Sequence, residues 1–240
     1  MYKNKKILAV ILARAGSKRL KDKNIRLFNS KPLIYWTIKA AKDSNLLDKI
    51  VLSTDSSKIS KISKSFGISV PFLRPKNLAK DKSSSINALI HCINFLENEK
   101  HFFDYCILLE PTSPLRDFTD IDLNIKKLIN NKSADSLVSV SKASTSHPQF
   151  MYYINNSYIK PFSKKLKKIN RNQDSEKLFF LEGSIYISKI SILKKKKTFY
   201  HSKTIASIFP KWKSFEIDDL LDLKISEFLL KYKNKKDFDV

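Results

Sequence analysis

The stretch Ile7-Leu8-Ala9-Val10-Ile11-Leu12-Ala13-Arg14-Ala15-Gly16-Ser17-Lys18-Arg19-Leu20-Lys21-Asp22-Lys23-Asn24 decides the fold. Its first six residues are apolar without alternation, the pattern of a parallel strand buried on both faces. The run passes straight into a loop holding one of the chain's three glycines, two of its six arginines and three lysines. In open parallel sheets, ligands sit outside the carboxyl ends of the strands. A glycine there lets the backbone turn sharply and present N–H groups to an anion. Arg14 and Lys23 can neutralise a polyphosphate. The loop has neither G-x-x-x-x-G-K-[ST] nor G-x-G-x-x-G, so it predicts a phosphate site of another kind. Lys3, Lys5 and Lys6 before the run resemble the start of a signal peptide. The apolar run is at the short end for one, and cleavage after Ala15 would cut the strand from its loop. A buried first strand is the expectation.

Working outward, apolar runs alternate with helical patterns up to residue 140. Pro32 opens a helix carrying Leu33, Ile34, Trp36, Thr37, Ala40 and Ala41 on one side. Strands are predicted at Ile50 to Leu52, Tyr105 to Leu109 and Leu137 to Val140, with an extended segment at Val70 to Leu73. Helices are predicted at Ile59 to Phe66, stopped by Gly67, at Ser84 to Leu96, and at Asp120 to Ile129 with Asp120 as its cap. This alternation implies an α/β protein of three layers, α/β/α, with a mostly parallel sheet. From residue 141 the pattern changes. Phe150 to Ile154 and Tyr158-Ile159 flank Asn155-Asn156 and read as a hairpin, followed by a Lys-rich stretch. The α/β pattern returns with a strand at Ser184 to Ile187 and a closing helix at Leu220 to Tyr232. Residues 1–240 thus read as one domain, with 141–182 an inserted excursion.

The chain has 46 Lys+Arg against 23 Asp+Glu, a net charge of +23. Such a balance can mark a nucleic-acid binder. Here only Arg14, Arg19, Arg26, Arg74, Arg116 and Arg171 are arginine, and lysine is spread along the whole chain. That is the mark of a compositional bias, so no nucleic-acid partner is expected, and the runs Lys164-Lys165, Lys167-Lys168 and Lys194 to Lys197 read as solvated turns. Scarce arginines are the informative ones, because their planar fork grips phosphate or carboxylate at two points. No apolar run approaches the ~18 residues of a membrane span. Cys92 and Cys106 form no disulfide framework and no zinc spacing, and a reducing cytoplasm is the expected compartment. The four histidines have no ligand spacing.

Near the end, Glu216 and Asp218 flank apolar Ile217. On an extended segment residues two apart face one side, and paired carboxylates can hold Mg²⁺, a hard cation that prefers oxygen. Asp219 and Asp222 suit the start of the following helix instead.

Several segments together resemble the acylneuraminate cytidylyltransferases (CMP-sialic acid synthetases). Ile11 to Arg19 with Lys23-Asn24 resembles their signature loop. Lys31-Pro32-Leu33-Ile34 resembles the start of their first helix and Val51 to Asp55 their second strand. Phe72-Leu73-Arg74-Pro75, Asn77-Leu78-Ala79 and Ser83-Ser84-Ser85 resemble their nucleotide segment. Leu108 to Arg116 resembles the loop before the sugar site, and Ser214 to Asp219 their metal motif. The matches run in family order over most of the chain. The resemblance implies a Rossmann-like nucleotidyltransferase fold, Mg²⁺ dependence, a homodimer joined through 141–182, and a reaction of CTP with a nonulosonic acid. It implies that Arg14, Lys23 and the backbone of Ala15, Gly16 and Ser17 hold the phosphates. Asn24 would contact the nucleotide, Arg74, Ser83 and Ser85 would read cytosine, and Glu216 and Asp218 would hold the metal. Arg14, Lys23 and Asp218 form the expected catalytic set. Glu110, Arg171 and Gln173 are the sugar-site candidates.

The sugar half departs from the family pattern. Glu110 stands where many relatives have Gln, Phe150 where sialic-acid enzymes can carry Lys, and Phe180 where a second Arg is found. Glu182-Gly183 replaces Asn-Gly. An intact nucleotide half beside an altered sugar half implies a sialic-acid-like sugar, such as legionaminic or pseudaminic acid. The alternatives are another sugar nucleotidyltransferase, for example of the CMP-Kdo type, and a non-catalytic binder of anions or nucleic acid.

Overall fold

A computed structural model describes residues 1–81, 83–143, 147–163 and 176–232. Its elements in chain order are β1 (Ile7–Leu12), β2 (Leu27–Phe28), β3 (Lys31–Pro32), α1 (Leu33–Asp43), β4 (Lys49–Ser53), α2 (Ser57–Ser65), α3 (Ser85–Asn98), β5 (Tyr105–Leu109), α4 (Phe118–Asn130), β6 (Ser136–Lys142), β7 (Tyr152–Asn155), β8 (Tyr158–Pro161), β9 (Phe179–Lys189), α5 (Ile190–Lys196), β10 (Thr204–Ile208) and α6 (Leu220–Tyr232). Six strands form the central sheet in the order β10-β6-β9-β5-β1-β4. Neighbours are parallel except β9, which is antiparallel to both β5 and β6. The architecture is the mostly parallel α/β fold that the sequence implies.

The alternation of side chains along the strands builds two cores. Ile7, Ala9 and Ile11 of β1 face Ile34 and Ile38 of α1 and Ile121, Ile125 and Leu128 of α4. Leu8 and Val10 face the other way, onto Leu89, Ile93 and Leu96 of α3 and Leu193 of α5. Both faces of β1 are therefore dry, which is why its sequence shows no polar alternation. A third cluster joins Leu20 and Phe28 to Leu115, Ile217, Leu223 and Leu229. It clamps α6 and the segment before it onto the loop that follows β1.

The structure refines the sequence reading at several points. The strand expected at Ser184 to Ile187 is longer, Phe179–Lys189, and antiparallel. Among the described residues between β6 and β9 there is no α-helix, the usual crossover of a parallel pair. Residues 141–142 and 179–182 of the expected excursion lie in the strands of this sheet, with Lys142 opposite Phe179. What projects is the hairpin β7–β8. Its turn is Asn156-Ser157, with φ of 45° and 69°, one residue later than the sequence suggests. Asp117, not Asp120, caps α4, and Asp120 completes the capping box from the third position. Lys194 to Lys196, read as a solvated turn, lie in the last turn of α5, where cations suit the helix dipole. α5 and β10 lie in segments whose sequence shows no clear element. The run Lys164-Lys165, Lys167-Lys168 lies outside the described residues. No helix among the described residues is long and apolar enough to cross a membrane.

Candidate active site

The loop after β1 forms one wall of a cleft of about 450 Å³ at the carboxyl end of the sheet. Arg14, Ser17, Lys23, Asn24, Arg74, Ser83, Ser85, Glu110 and Asp218 all line it. Residues from five separate parts of the sequence thus meet at the strand ends, where an open sheet places its ligands.

Each wall has its own physical support. Gly16 takes φ of +76°, a backbone conformation that costs a side chain but not glycine. The Asn24 amide donates to the Arg14 carbonyl at 2.9 Å and closes the loop on itself. The Ala15 N–H donates to Asp55 at 2.8 Å, so that donor of the expected phosphate cradle already has a protein acceptor. Arg14 pairs with Asp81 at 2.7 Å, and Lys18 reaches the other oxygen of Asp81. The loop is thereby tied to the segment before α3. Ser84 caps α3 by accepting from the Ile86 N–H at 3.2 Å, which brings Ser83 and Ser85 to the cleft. Ser83 itself donates to the Asn77 carbonyl at 2.8 Å. Arg74 is buried, gives Nε and Nη2 to the Oγ and carbonyl of Ser53, and has its pKa lowered, first by burial. It is a fixed wall of the cleft, not a mobile surface charge.

The opposite wall carries the acids. The Ile217 N–H donates to the Thr112 carbonyl at 2.8 Å, and the Ile217 side chain is fully buried in the third cluster. That anchors the extended segment holding Glu216 and Asp218. Lys23 Nζ donates to the Ile217 carbonyl at 2.9 Å and to Asp218 at 3.0 Å, and Arg19 reaches the other Asp218 oxygen at 2.9 Å. The loop after β1 and the acidic segment therefore form one bonded unit. Glu216 is exposed as a residue, but its carboxyl group lies against β9 beside Gly183. Burial there, then the Glu110, Glu182 and Asp218 carboxylates, push it up to about 7. Burial also raises Glu110, offset by Arg116 and Lys23. Asp219 accepts from the Asp222 N–H at 3.0 Å while Asp222 accepts from the Asp219 N–H at 3.0 Å. This pair is a capping box for α6, so Asp219 is a cap.

The donor set suits a hard divalent cation, since every candidate atom is a carboxylate oxygen. The mutual crowding that raises Glu216 is relieved by positive charge. Among the described residues there is no group of three or more His, Cys, Asp or Glu fit to hold a metal. A site of two carboxylates leaves most coordination positions to phosphate and water, the usual habit of Mg²⁺.

Arg171 and Gln173 lie outside the described residues. Four contributors are not among the site residues predicted from the sequence. Asp55 and Asp81 bind the loop from 40 and 67 residues away by the numbering. Glu182 is buried within β9. Arg116 is 3% exposed and donates to the carbonyls of Ser184 and Glu110 and to Thr37. Burial lowers its pKa to about 10, opposed by Glu182 and other acids, so it stays a cation at neutral pH.

A mostly parallel sheet with a cation-rich loop after its first strand, bonded to Asp218 across a cleft that Glu216 does not line, defines, together with the similarities to known proteins, a nucleotidyltransferase. A family model described as cytidylyltransferase matches residues 8–237, and the chain belongs to that family. It is 37% identical over 228 residues to a CMP-N,N'-diacetyllegionaminic acid synthase of Legionella pneumophila, covering 94% of this chain and 96% of that one. It is 32% identical to an N-acylneuraminate cytidylyltransferase of Escherichia coli, over 98% of this chain but 54% of that longer protein. Among solved structures, a CMP:2-keto-3-deoxy-manno-octonic acid synthetase complexed with CTP superposes with a TM-score of 0.69 at 17% identity, covering 95% of this chain and 99% of that one. That likeness is one of fold.

Proposed function

We propose that this enzyme joins CTP to a nonulosonic acid, giving the CMP-sugar and pyrophosphate. The observation that carries the reading is the cleft, with Arg14 and Lys23 on one wall, Asp218 bonded to Lys23, and Arg74 with Ser83 to Ser85 at its side. The names of the relatives supply the sugar class. In this reaction the anomeric hydroxyl oxygen attacks the α-phosphorus, the bond to the β-phosphate breaks, and pyrophosphate leaves. Such a step needs positioning and charge neutralisation more than covalent catalysis.

The residues divide that work. Arg14 and Lys23 offset the negative charge that grows on the leaving phosphates. The N–H groups of Gly16 and Ser17 add donors from the turn of the loop. Arg74, held rigid by Ser53, and the serines at the start of α3 read the base edge of cytosine. Asn24 keeps the loop in shape and contacts the nucleotide. Glu216 and Asp218 would hold Mg²⁺, which when bound withdraws charge from phosphate oxygens. Glu110, which lines the cleft beside Pro111 and Thr112, would contact the sugar, and Arg171 and Gln173 remain candidates for the sugar by the family resemblance alone.

The hairpin supports a homodimer. Ile154, Tyr158 and Ile159 are 78%, 80% and 68% exposed, an apolar surface that water covers poorly and a second copy would bury. A cytoplasmic location and the absence of a nucleic-acid partner belong to the same reading.

The test is pyrophosphate release with CTP, Mg²⁺ and a panel of nonulosonic acids, with Kdo as the comparison sugar. Turnover of a nine-carbon acid and little of Kdo is expected. Preference for Kdo would overturn the sugar assignment, and no release with any sugar would overturn the activity.

A further inference from the structure

The ladder between β6 and β9 is broken at one place. Val138 pairs with Tyr186 and Val140 with Leu181, so residues 182–185 of β9 stand opposite Ser139 alone. This is a large, irregular bulge, four residues against one, buried within the sheet. Several of its polar groups are met from side chains. Ser139 Oγ accepts from the Ile185 N–H at 2.8 Å and donates to the Ile185 carbonyl at 3.1 Å. Arg116 donates to the Ser184 carbonyl, and Ser184 donates to Glu182. Ser139, Glu182, Ser184 and Arg116 are each at most 3% exposed. A bulge with this much dedicated support is a built feature, not a slip of register.

Gly183 is the residue the bulge lifts out of the ladder, at φ of +75°. A Cβ added there would lie 1.4 Å from Glu216 Oε1 and 2.7 Å from its Cδ. Those are overlaps, and the colliding atoms are the carboxylate itself. The space a methyl group would fill at position 183 is the space that the Glu216 carboxylate occupies. Glycine therefore serves two needs at once, the left-handed backbone of the bulge and the vacancy beside it.

We propose that the β9 bulge is the seat of Glu216, and that Gly183 is a positioning residue which fixes where that carboxylate stands against β9. The consequence for cation binding rests on the cytidylyltransferase reading above, whereas the seat itself does not. Lys23 and Ile217 fix the segment from one side, and the bulge fixes it from the other. The antiparallel strand that interrupts the parallel sheet thus sets the position of an acid contributed by another part of the chain.

The test is a double-mutant cycle on the full chain with Gly183→Ala, Glu216→Ala and the pair, read by urea unfolding and by Mn²⁺ titration followed by the free-Mn²⁺ EPR signal. Two substitutions that act through one contact are not additive. Gly183→Ala is expected to lower the urea midpoint markedly in the Glu216 background and much less in the Glu216→Ala background. An equal shift in both backgrounds overturns the seat, because strain at φ of +75° would then be the whole effect. For cation binding, Gly183→Ala should weaken Mn²⁺ about as much as Glu216→Ala does, with the pair no weaker than either. Weakening by Glu216→Ala alone, with Gly183→Ala binding normally, overturns the positioning role. If Glu216→Ala leaves Mn²⁺ binding unchanged, the metal reading fails and the unfolding cycle still decides the seat. Should Gly183→Ala fail to fold, recovery of a folded protein by the pair supports the seat, and failure of both overturns it.

Discussion

Replacing Lys213 by Met removes the cation that locks the acidic segment to the start of α4. Lys213 Nζ lies 3.0 Å from Asp117 and 2.7 Å from Asp120, and its side chain is 10% exposed. Both carboxylates belong to the capping box of α4, and the segment with Glu216 and Asp218 begins one residue after Lys213. Removing one partner of a buried pair costs about 3–5 kcal/mol. Asp117 is 30% exposed and keeps its bond from the Thr119 N–H, so the cost is reduced below that of a fully buried pair, to about 2–4 kcal/mol at pH 7. The pH dependence follows from the directions of the shifts. Asp120 is raised, first by burial, with Lys213 the largest opposing influence. Without Lys213 it rises further and is neutralised as pH falls, which relieves the variant. Asp117 is lowered in the folded protein, against burial, by Thr119 and Lys213. Its stabilising contribution is present above its unfolded value and lost as pH falls, so the wild type loses more from that source than the variant. Both effects shrink the difference at low pH. Urea unfolding at pH 7 and pH 4 measures it. A loss under about 1 kcal/mol at pH 7, or a loss that grows on acidification, would refute the argument.

Asp218→Asn should lower turnover about a hundredfold or more with little change in melting temperature. Asp219→Asn should keep turnover and cost about 0.5–2 kcal/mol as a lost cap; the reverse pattern in kcat and melting would shift the metal assignment by one residue. Glu216 has a folded pKa near 7, above its usual 4.5, so its contribution to stability is complete below the usual value and is lost as pH rises through about 7. Glu216→Gln should therefore melt higher than wild type at pH 8 and together with it at pH 4, and equal melting at both values would contradict the crowding of carboxylates. Arg74→Ala should raise the KM for CTP more than it lowers kcat, as a loss of uniform binding; equal turnover of wild type with UTP or GTP would show that the base pocket is misread.

The sequence by itself determined the layers of this protein and one wall of its cleft. β1 is legible because burial on both faces forbids polar residues along the run, and Gly16, Arg14 and Lys23 are legible because few glycines and arginines compete for notice. The cap at Asp219 follows from its position just before an amphipathic helix. The tertiary structure decided the rest. The orientation of β9 shows only in its pairing with β5 and β6, not in its own residues. Asp81, Asp55 and Arg116 act across long sequence separations, and although Arg116 is one of few arginines, nothing local shows which groups they meet. Gly183 enters the sequence reading only within Glu182-Gly183, and the fold brings Glu216, 33 positions later by the numbering, into the space its missing side chain leaves. Local pattern reports what a residue needs from its immediate neighbours and from water, and only the packed chain reports which distant group shares its volume.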